Sequence, residues 1–191
     1  MKYVALIRPP KELLRTISKF RQELPEQVRP SHPLGPHCTL VSNYFYNDLE
    51  PIMIEHLGRI RVPSFQLTLG KIDFFDDNSL VVRVEPQLQL QQLHQSVLDT
   101  LNEFLNKNQI KPLPEKYRSE PEAVVAFQYY GSCYVGARYN PHITIAQTRL
   151  QHFKKIKTRN YFGGYSFEVT NFELAKKNEA GWETVKSFSL L

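Results

Sequence analysis

Two short stretches of this 191-residue chain set a histidine and a threonine two positions apart, each directly after a proline. Gly35 to Val41 reads Gly-Pro-His-Cys-Thr-Leu-Val, and Tyr139 to Ala146 reads Tyr-Asn-Pro-His-Ile-Thr-Ile-Ala. Alternate side chains of an extended strand share a face, so His37 lies with Thr39 and His142 with Thr144, imidazole and hydroxyl roughly 7 Å apart. Cys38, Leu40, Ile143 and Ile145 turn toward a core. If the two strands are neighbours, two proton carriers and two hydroxyl donors converge. Such a set can put one proton on and take another off around an oxyanion such as a phosphate. Alone, either motif also fits a satisfied strand histidine beside a good strand former. The repetition is what points to chemistry.

The tetrads His37-Cys38-Thr39-Leu40 and His142-Ile143-Thr144-Ile145 resemble the His-x-Thr/Ser-aliphatic signatures of the two-histidine (2H) phosphoesterase superfamily, which includes 2′,5′-RNA ligases and cyclic nucleotide phosphodiesterases. Their spacing and the surrounding element order fit as well. The resemblance implies a bilobal α+β fold in which two antiparallel sheets with outer helices face each other across a central cleft. Residues 1–191 would form a single domain of two pseudo-symmetric halves, one tetrad in each. It further implies a metal-independent phosphoesterase acting on 2′,3′-cyclic phosphate or 2′,5′-phosphodiester bonds of RNA or nucleotides, with ligation as the reverse reaction. His37 and His142 would be acid and base, and Thr39 and Thr144 would hold the non-bridging oxygens. A basic residue often follows the second tetrad in this family, which makes Arg149 a candidate phosphate contact. Two other readings stand beside this one: a non-catalytic RNA or nucleotide sensor, and a hydrolase of another nucleotide signal or phosphate ester. Both tetrads are intact, which favours catalysis.

Along the rest of the chain, patterning alone supports mixed helix and strand with hairpins. Tyr3–Ile7 is a strand stopped by Arg8-Pro9-Pro10, and Lys11–Leu24 a helix ended by Pro25. A Pro-rich loop, Glu26–Pro36, delivers the strand His37–Val41. The aromatics of Asn43-Tyr44-Phe45-Tyr46 follow it, and Tyr44 could stack on a base. Asp48 reads as the cap of a helix to about Ile60. Phe65–Phe75 and Leu80–Val84 flank a turn at Asp76-Asp77-Asn78-Ser79. Gln87–Leu105 is a strongly amphipathic helix, and Ser119 caps another that ends at Gly131. Tyr134, Arg138 and Tyr139 are candidates for the rim of the cleft. Tyr165–Lys176 and Trp182–Leu190 read as a second hairpin. Lys154, Lys155, Lys157 and Arg159 form a basic segment that fits either a polynucleotide backbone or a solvated helix face.

Composition sets the limits. Lys plus Arg exceed Asp plus Glu by 24 to 19, for a net charge of +5, a mild bias toward anionic partners. Apolar residues at 41% and aromatics at 12% support a packed core. Cys38 and Cys133 are too few for a disulfide framework. Neither His37 nor His142 has a carboxylate or cysteine at ligand spacing, and Asp73, Asp76 and Asp77 lack calcium-loop spacing, so no metal or cofactor is expected. His32, His56 and His94 read as an exposed loop histidine, an ordinary helix residue and a satisfied core-edge histidine. With no signal peptide or membrane-length apolar run, the expectation is a cytoplasmic monomer whose partners are RNA ends or small nucleotides, with no membrane association.

Overall fold

The computed structural model describes residues 1–24, 29–30, 33–75, 79–147 and 161–191. In chain order the elements are β1 (Lys2–Ile7), α1 (Lys11–Gln22), β2 (Arg29–Pro30), β3 (Cys38–Tyr44), α2 (Glu50–Leu57), β4 (Phe65–Phe75) and β5 (Ser79–Val84). They continue as α3 (Leu88–Asn102), α4 (Pro121–Tyr130), β6 (His142–Gln147), β7 (Ser166–Val169), β8 (Asn171–Asn178) and β9 (Gly181–Ser189). The helices form where apolar residues recur at three and four positions: Leu13, Ile17 and Phe20 in α1, and Leu90, Leu93, Val97, Leu98 and Leu101 in α3, all buried.

The protein is α+β, with nine described strands joined into one antiparallel sheet in the order β7-β4-β5-β6-β3-β1-β8-β9, β2 lying beside β6. Tyr3, Ala5 and Ile7 of β1, Cys38 and Leu40 of β3, and Ile143 and Ile145 of β6 share one core with buried residues of the helices. The helices therefore cover one face of the sheet. Among the described residues the opposite face holds a small apolar cluster of Val4, Leu6, Leu34 and Ala175, packed by Trp182, and it carries the polar parity of β3 and β6. Among the described residues no helix is long and apolar enough to cross a membrane.

Several expectations change. In place of two sheets facing each other, the strands form one sheet, joined at its middle by a single β3–β6 register pair, Cys38↔Ile143. The strand expected over Tyr165–Lys176 is two strands. β7 pairs with β4, whereas β8 pairs with β1 in the other half of the sheet. The break falls where the buried positions change phase, from Phe167 and Val169 to Phe172 and Leu174. Asp48 sits inside a short 3-10 turn and Leu49 occupies the cap position of α2; Glu120, not Ser119, precedes α4. His32, Asp76, Asp77, Arg149 and the basic segment Lys154 to Arg159 lie outside the described residues.

The expected end of α4 holds: Gly131 adopts φ +64°, and its N–H reaches the Phe127 carbonyl at 2.8 Å. A Cβ there would collide with Ile110 Cδ1 and lie 3.0 Å from Asn43 Nδ2. Gly131→Ala combines a left-handed backbone with that crowding, and should cost about 1–3 kcal/mol in urea unfolding with an unchanged m-value. A cost near zero would show that Ile110 yields freely.

Candidate functional site

The site is built on two bulges. β1 and β3 are in register from Lys2↔Tyr44 to Ala5↔Val41, then shift so that Leu6 faces Thr39, leaving Leu40 without a partner on β1. β5 and β6 do the same: Leu80 faces Ala146 and Val81 faces Thr144, leaving Ile145 unpaired on β5. The extra residue is in both cases the aliphatic directly after the tetrad threonine. It turns two successive side chains inward, Leu40 with Val41 and Ile145 with Ala146, all buried. The open face thus carries Thr39 and then Ser42 on one strand, Thr144 and then Gln147 on the other.

A bulge residue's carbonyl needs a partner off the ladder, and here each is supplied by a helix behind the sheet. His94 of α3, with none of its surface exposed, donates from Nδ1 to Leu40 O at 2.9 Å while its Nε2 accepts the Gly136 N–H at 2.9 Å. Arg21 of α1 donates from Nε to Ile145 O. Tyr139 stacks face to face on His94 at 3.7 Å and donates to Thr39 O at 3.0 Å. This corrects the rim position expected for Tyr139: its ring and hydroxyl lie on the core side of β3, beside the Cys38 thiol. Arg138, the third rim candidate, pairs with Glu120 at 2.6 Å. Burial pushes the Cys38 thiol up to about 11, so it stays protonated at neutral pH.

The histidines are held alike. His37 Nδ1 lies 2.8 Å from Gly35 O, and His142 Nδ1 lies 2.8 Å from Asn140 O. A carbonyl only accepts, so each Nδ1 carries the hydrogen and each Nε2 is left as the basic nitrogen. The segments that offer those carbonyls are each tied by an arginine paired with a carboxylate. Arg8 donates to Leu34 O at 2.7 Å and pairs with Glu173 at 3.0 Å, beside the Gly35 turn at φ +75°. Arg83 donates to Asn140 Oδ1 and, from Nε and Nη2, to Asp73 Oδ2 at 2.9 and 2.7 Å. Partial burial pulls the Asp73 carboxyl upward, but the Arg83 bonds and the Phe74 N–H outweigh it and hold it below its ordinary value. Asp73 is therefore an anchor for Arg83 within β4. The Phe75 ring lies 4.4 Å from the Arg83 guanidinium and meets the His142 ring edge to face at 4.5 Å.

Extending the antiparallel register from Cys38↔Ile143 sets His37 opposite Thr144 and Thr39 opposite His142. The histidines occupy opposite corners of a rectangle, roughly 8 Å apart along its diagonal from strand rise and cross-strand spacing. His37, Thr39, Thr144, Ser42, Gln147 and Lys2 line a cavity of about 260 Å³ closed at one end by Trp182. His142 stands on β6 between Thr144, which lines this cavity, and Asn140, which lines a larger one of about 840 Å³ over β4 and β5. The smaller cavity brings together His37, Thr39 and Thr144 but not His142; the larger is lined by no tetrad histidine or threonine, and by Asp73 and Glu85 together with Lys71 and Arg83. Tyr44 and Tyr134 line a third, of about 320 Å³, which shares Lys2 and Ser42 with the tetrad cavity. Among the described residues no three histidine, cysteine or acidic side chains converge as a metal ligand set.

Sequence reasoning missed Ser42, Gln147, Lys2, Trp182 and Arg21. The signal for the first two was present, since each lies three residues past a tetrad threonine, but only a bulge makes that spacing share a face. His94 is the satisfied histidine expected of it, with a specific task.

A family model described as the 2′-5′ RNA ligase superfamily matches residues 9–181. The fold is similar to that of Escherichia coli LigT complexed with ATP, at TM-score 0.69 and 19% identity over 99% of this chain and 97% of that one. LigT complexed with 3′-AMP gives 0.67 and 19% over 99% and 97%. The protein TT0787 of Thermus thermophilus gives 0.68 and 16% over 99% and 97%. No curated protein matches by sequence.

Burial of neutral His94 lowers its pKa from 6.5 to about 4. An unfolded chain takes up this proton near 6.5 and the folded one only near 4, so His94's contribution is complete above pH 6.5 and falls as pH drops through that window. Across it the protein should lose on the order of 3 kcal/mol in urea unfolding, and His94→Gln should flatten that part of the profile. Equal slopes in both proteins would contradict the assignment.

Proposed function

Because this chain belongs to the 2′-5′ RNA ligase superfamily, we propose that it is a metal-independent phosphoesterase acting on 2′,3′-cyclic phosphate or 2′,5′-phosphodiester bonds of RNA ends or nucleotides. The observation that carries this reading is a cavity lined by His37 and both tetrad threonines, with His142 on the paired strand beside Thr144 and each imidazole held at Nδ1 by a carbonyl. In-line displacement at phosphorus needs a base on one side and an acid on the other, with donors for the equatorial oxygens between them. Opposite corners of the rectangle supply the first two, and Thr39 and Thr144 supply the donors.

In hydrolysis, one Nε2 takes a proton from water as its oxygen bonds to phosphorus. The bond to the 2′ or 3′ oxygen breaks, and the other imidazolium gives that oxygen its proton, leaving a phosphomonoester. With a 5′-hydroxyl in place of water as the nucleophile, the same transfers open a 2′,3′-cyclic phosphate to a 2′,5′-phosphodiester, the 3′ oxygen leaving with the proton, so hydrolysis and ligation use one set of groups. Ser42 and Gln147, at matching places past the bulges, border the same phosphate and suit its remaining oxygens. The two halves of the sheet that diverge from Cys38↔Ile143 serve as lobes of one domain, with the substrate lying along their junction. Escherichia coli LigT, which is similar in fold, has been solved both complexed with 3′-AMP and complexed with phosphate, which supports a nucleotide phosphate as the ligand class here.

His37→Ala and His142→Ala should each lower kcat on adenosine 2′,3′-cyclic phosphate by about 10²–10⁴-fold. The melting temperature of either variant should stay within about 3 °C of the unaltered protein. Excess EDTA should leave the rate of the unaltered protein unchanged. Near-normal turnover in either histidine variant, or loss of rate in EDTA, would overturn this mechanism.

A further inference from the structure

Two cavities share lining residues with the tetrad cavity, a third lies beside Asn140, and their linings differ in charge. The 840 Å³ cavity beside Asn140 is lined by Lys71 and Arg83 together with Asp73 and Glu85, and the 520 Å³ cavity that shares Lys2 and Trp182 adds both Lys177 and Glu179. The 320 Å³ cavity that shares Lys2 and Ser42 is lined by no carboxylate, and it adds a second lysine, Lys111. The tetrad cavity itself has no carboxylate either. Among the described residues the Lys2 and Lys111 side chains form no hydrogen bond or ion pair, so neither positive charge is already neutralised by a described residue. Lys2 lines the cavities on both sides of Ser42, and its register partner on β3 is Tyr44.

Across this cavity from Tyr44 stands Tyr134, 55% exposed, an unusual exposure for an aromatic ring held in one place. Its hydroxyl bonds to that of Tyr117, and the two rings meet edge to face at 5.4 Å. The ring is thus a fixed platform, already ordered before any ligand arrives, so a base stacking on it loses little additional freedom. Tyr44 lies five positions past Thr39 on β3, roughly 15 Å by strand rise. That is the reach of one more nucleoside and its phosphate.

We propose that this second cavity is a subsite for the nucleotide on the 5′ side of the one that bears the reacting phosphate, the phosphodiester that joins the two lying between Lys2 and Lys111 and the upstream base stacking on Tyr134. The assignment rests on the phosphoesterase reading above and deepens it: the preferred substrate is an oligonucleotide end. A terminal 2′,3′-cyclic phosphate has a neighbour only on its 5′ side, so the subsite reads the chain upstream of the cleavage point.

The test is equilibrium binding, which does not depend on turnover. Calorimetry compares 3′-AMP with the dinucleotide adenylyl-(3′→5′)-adenosine 3′-phosphate on the unaltered protein, on Lys111→Met, and on Lys111→Met with Tyr134→Ala. Thermal melts of each variant verify folding. The dinucleotide should bind about tenfold tighter than 3′-AMP at low salt. Its log–log salt dependence should be steeper by about 0.7 for the one extra phosphate. The advantage should shrink in Lys111→Met and vanish in the double variant. Equal affinities in the unaltered protein, or an advantage that survives the double substitution, would overturn the subsite. Turnover of adenosine 2′,3′-cyclic phosphate and of 2′,5′-linked diadenylate is followed in parallel. A lysine- and tyrosine-dependent advantage without turnover keeps the subsite and removes the phosphoesterase reading, and turnover without the advantage does the reverse.

Discussion

The chemistry-bearing face depends on two backbone carbonyls that its strands cannot satisfy. The extra residue after each threonine turns Ser42 and Gln147 onto the open face, and it leaves Leu40 O and Ile145 O to be held by His94 and Arg21 from the helical layer. An unpaired buried carbonyl costs about 1–3 kcal/mol, so a bulge without its partner would relax toward regular pairing, and a one-residue slip exchanges the faces of every following side chain. The helices thus set which way the polar residues point, in addition to covering the core. His94 does this without carrying charge into the interior, because its second nitrogen accepts Gly136 N–H. On the other strand a half-buried guanidinium plays the equivalent part, and burial lowers its pKa as well.

A second layer of support orients the imidazoles. Each Nδ1 is fixed by a carbonyl two residues upstream, and each of those segments is tied to an arginine–carboxylate pair, Arg8 with Glu173 and Arg83 with Asp73. The two supports differ in kind. His37 hangs from a glycine turn, whereas His142 is also braced by Phe75, whose ring in turn packs against the Arg83 guanidinium. An imidazole confined on one edge and one nitrogen keeps its orientation through a proton transfer, which is what acid–base work at a fixed phosphorus demands.

Much of this was legible from residue order. The tetrads, the strand over Phe65–Phe75, the amphipathic α3 and the glycine end of α4 all follow from alternation, helical spacing and the left-handed preference of glycine. The bulges were not legible, because a run such as Leu40-Val41 or Ile145-Ala146 reads equally well as a doubly buried strand. Tyr139 beside a tetrad reads as a rim residue until the strand's other face is seen to need a hydroxyl. The division at Thr170 left a trace in the shifted phase of Phe167, Val169, Phe172 and Leu174, but alternation alone gives no information about which partner a strand chooses. Pairing β8 with β1 and β7 with β4 is decided by contacts far apart in the chain.

That division has a consequence for how the chain assembles as it is synthesised. β1 and β3 emerge early, yet the other edge of β1 is completed only by β8, after all residues from Glu50 to Val169 have been added. Until then β1 offers an open row of N–H and C=O groups flanked by Tyr3, Ala5 and Ile7, a template for pairing with a wrong strand or another chain. The half carrying His37 therefore closes last even though its tetrad is made first, and the chain's final hairpin acts as the clasp that ends this exposure.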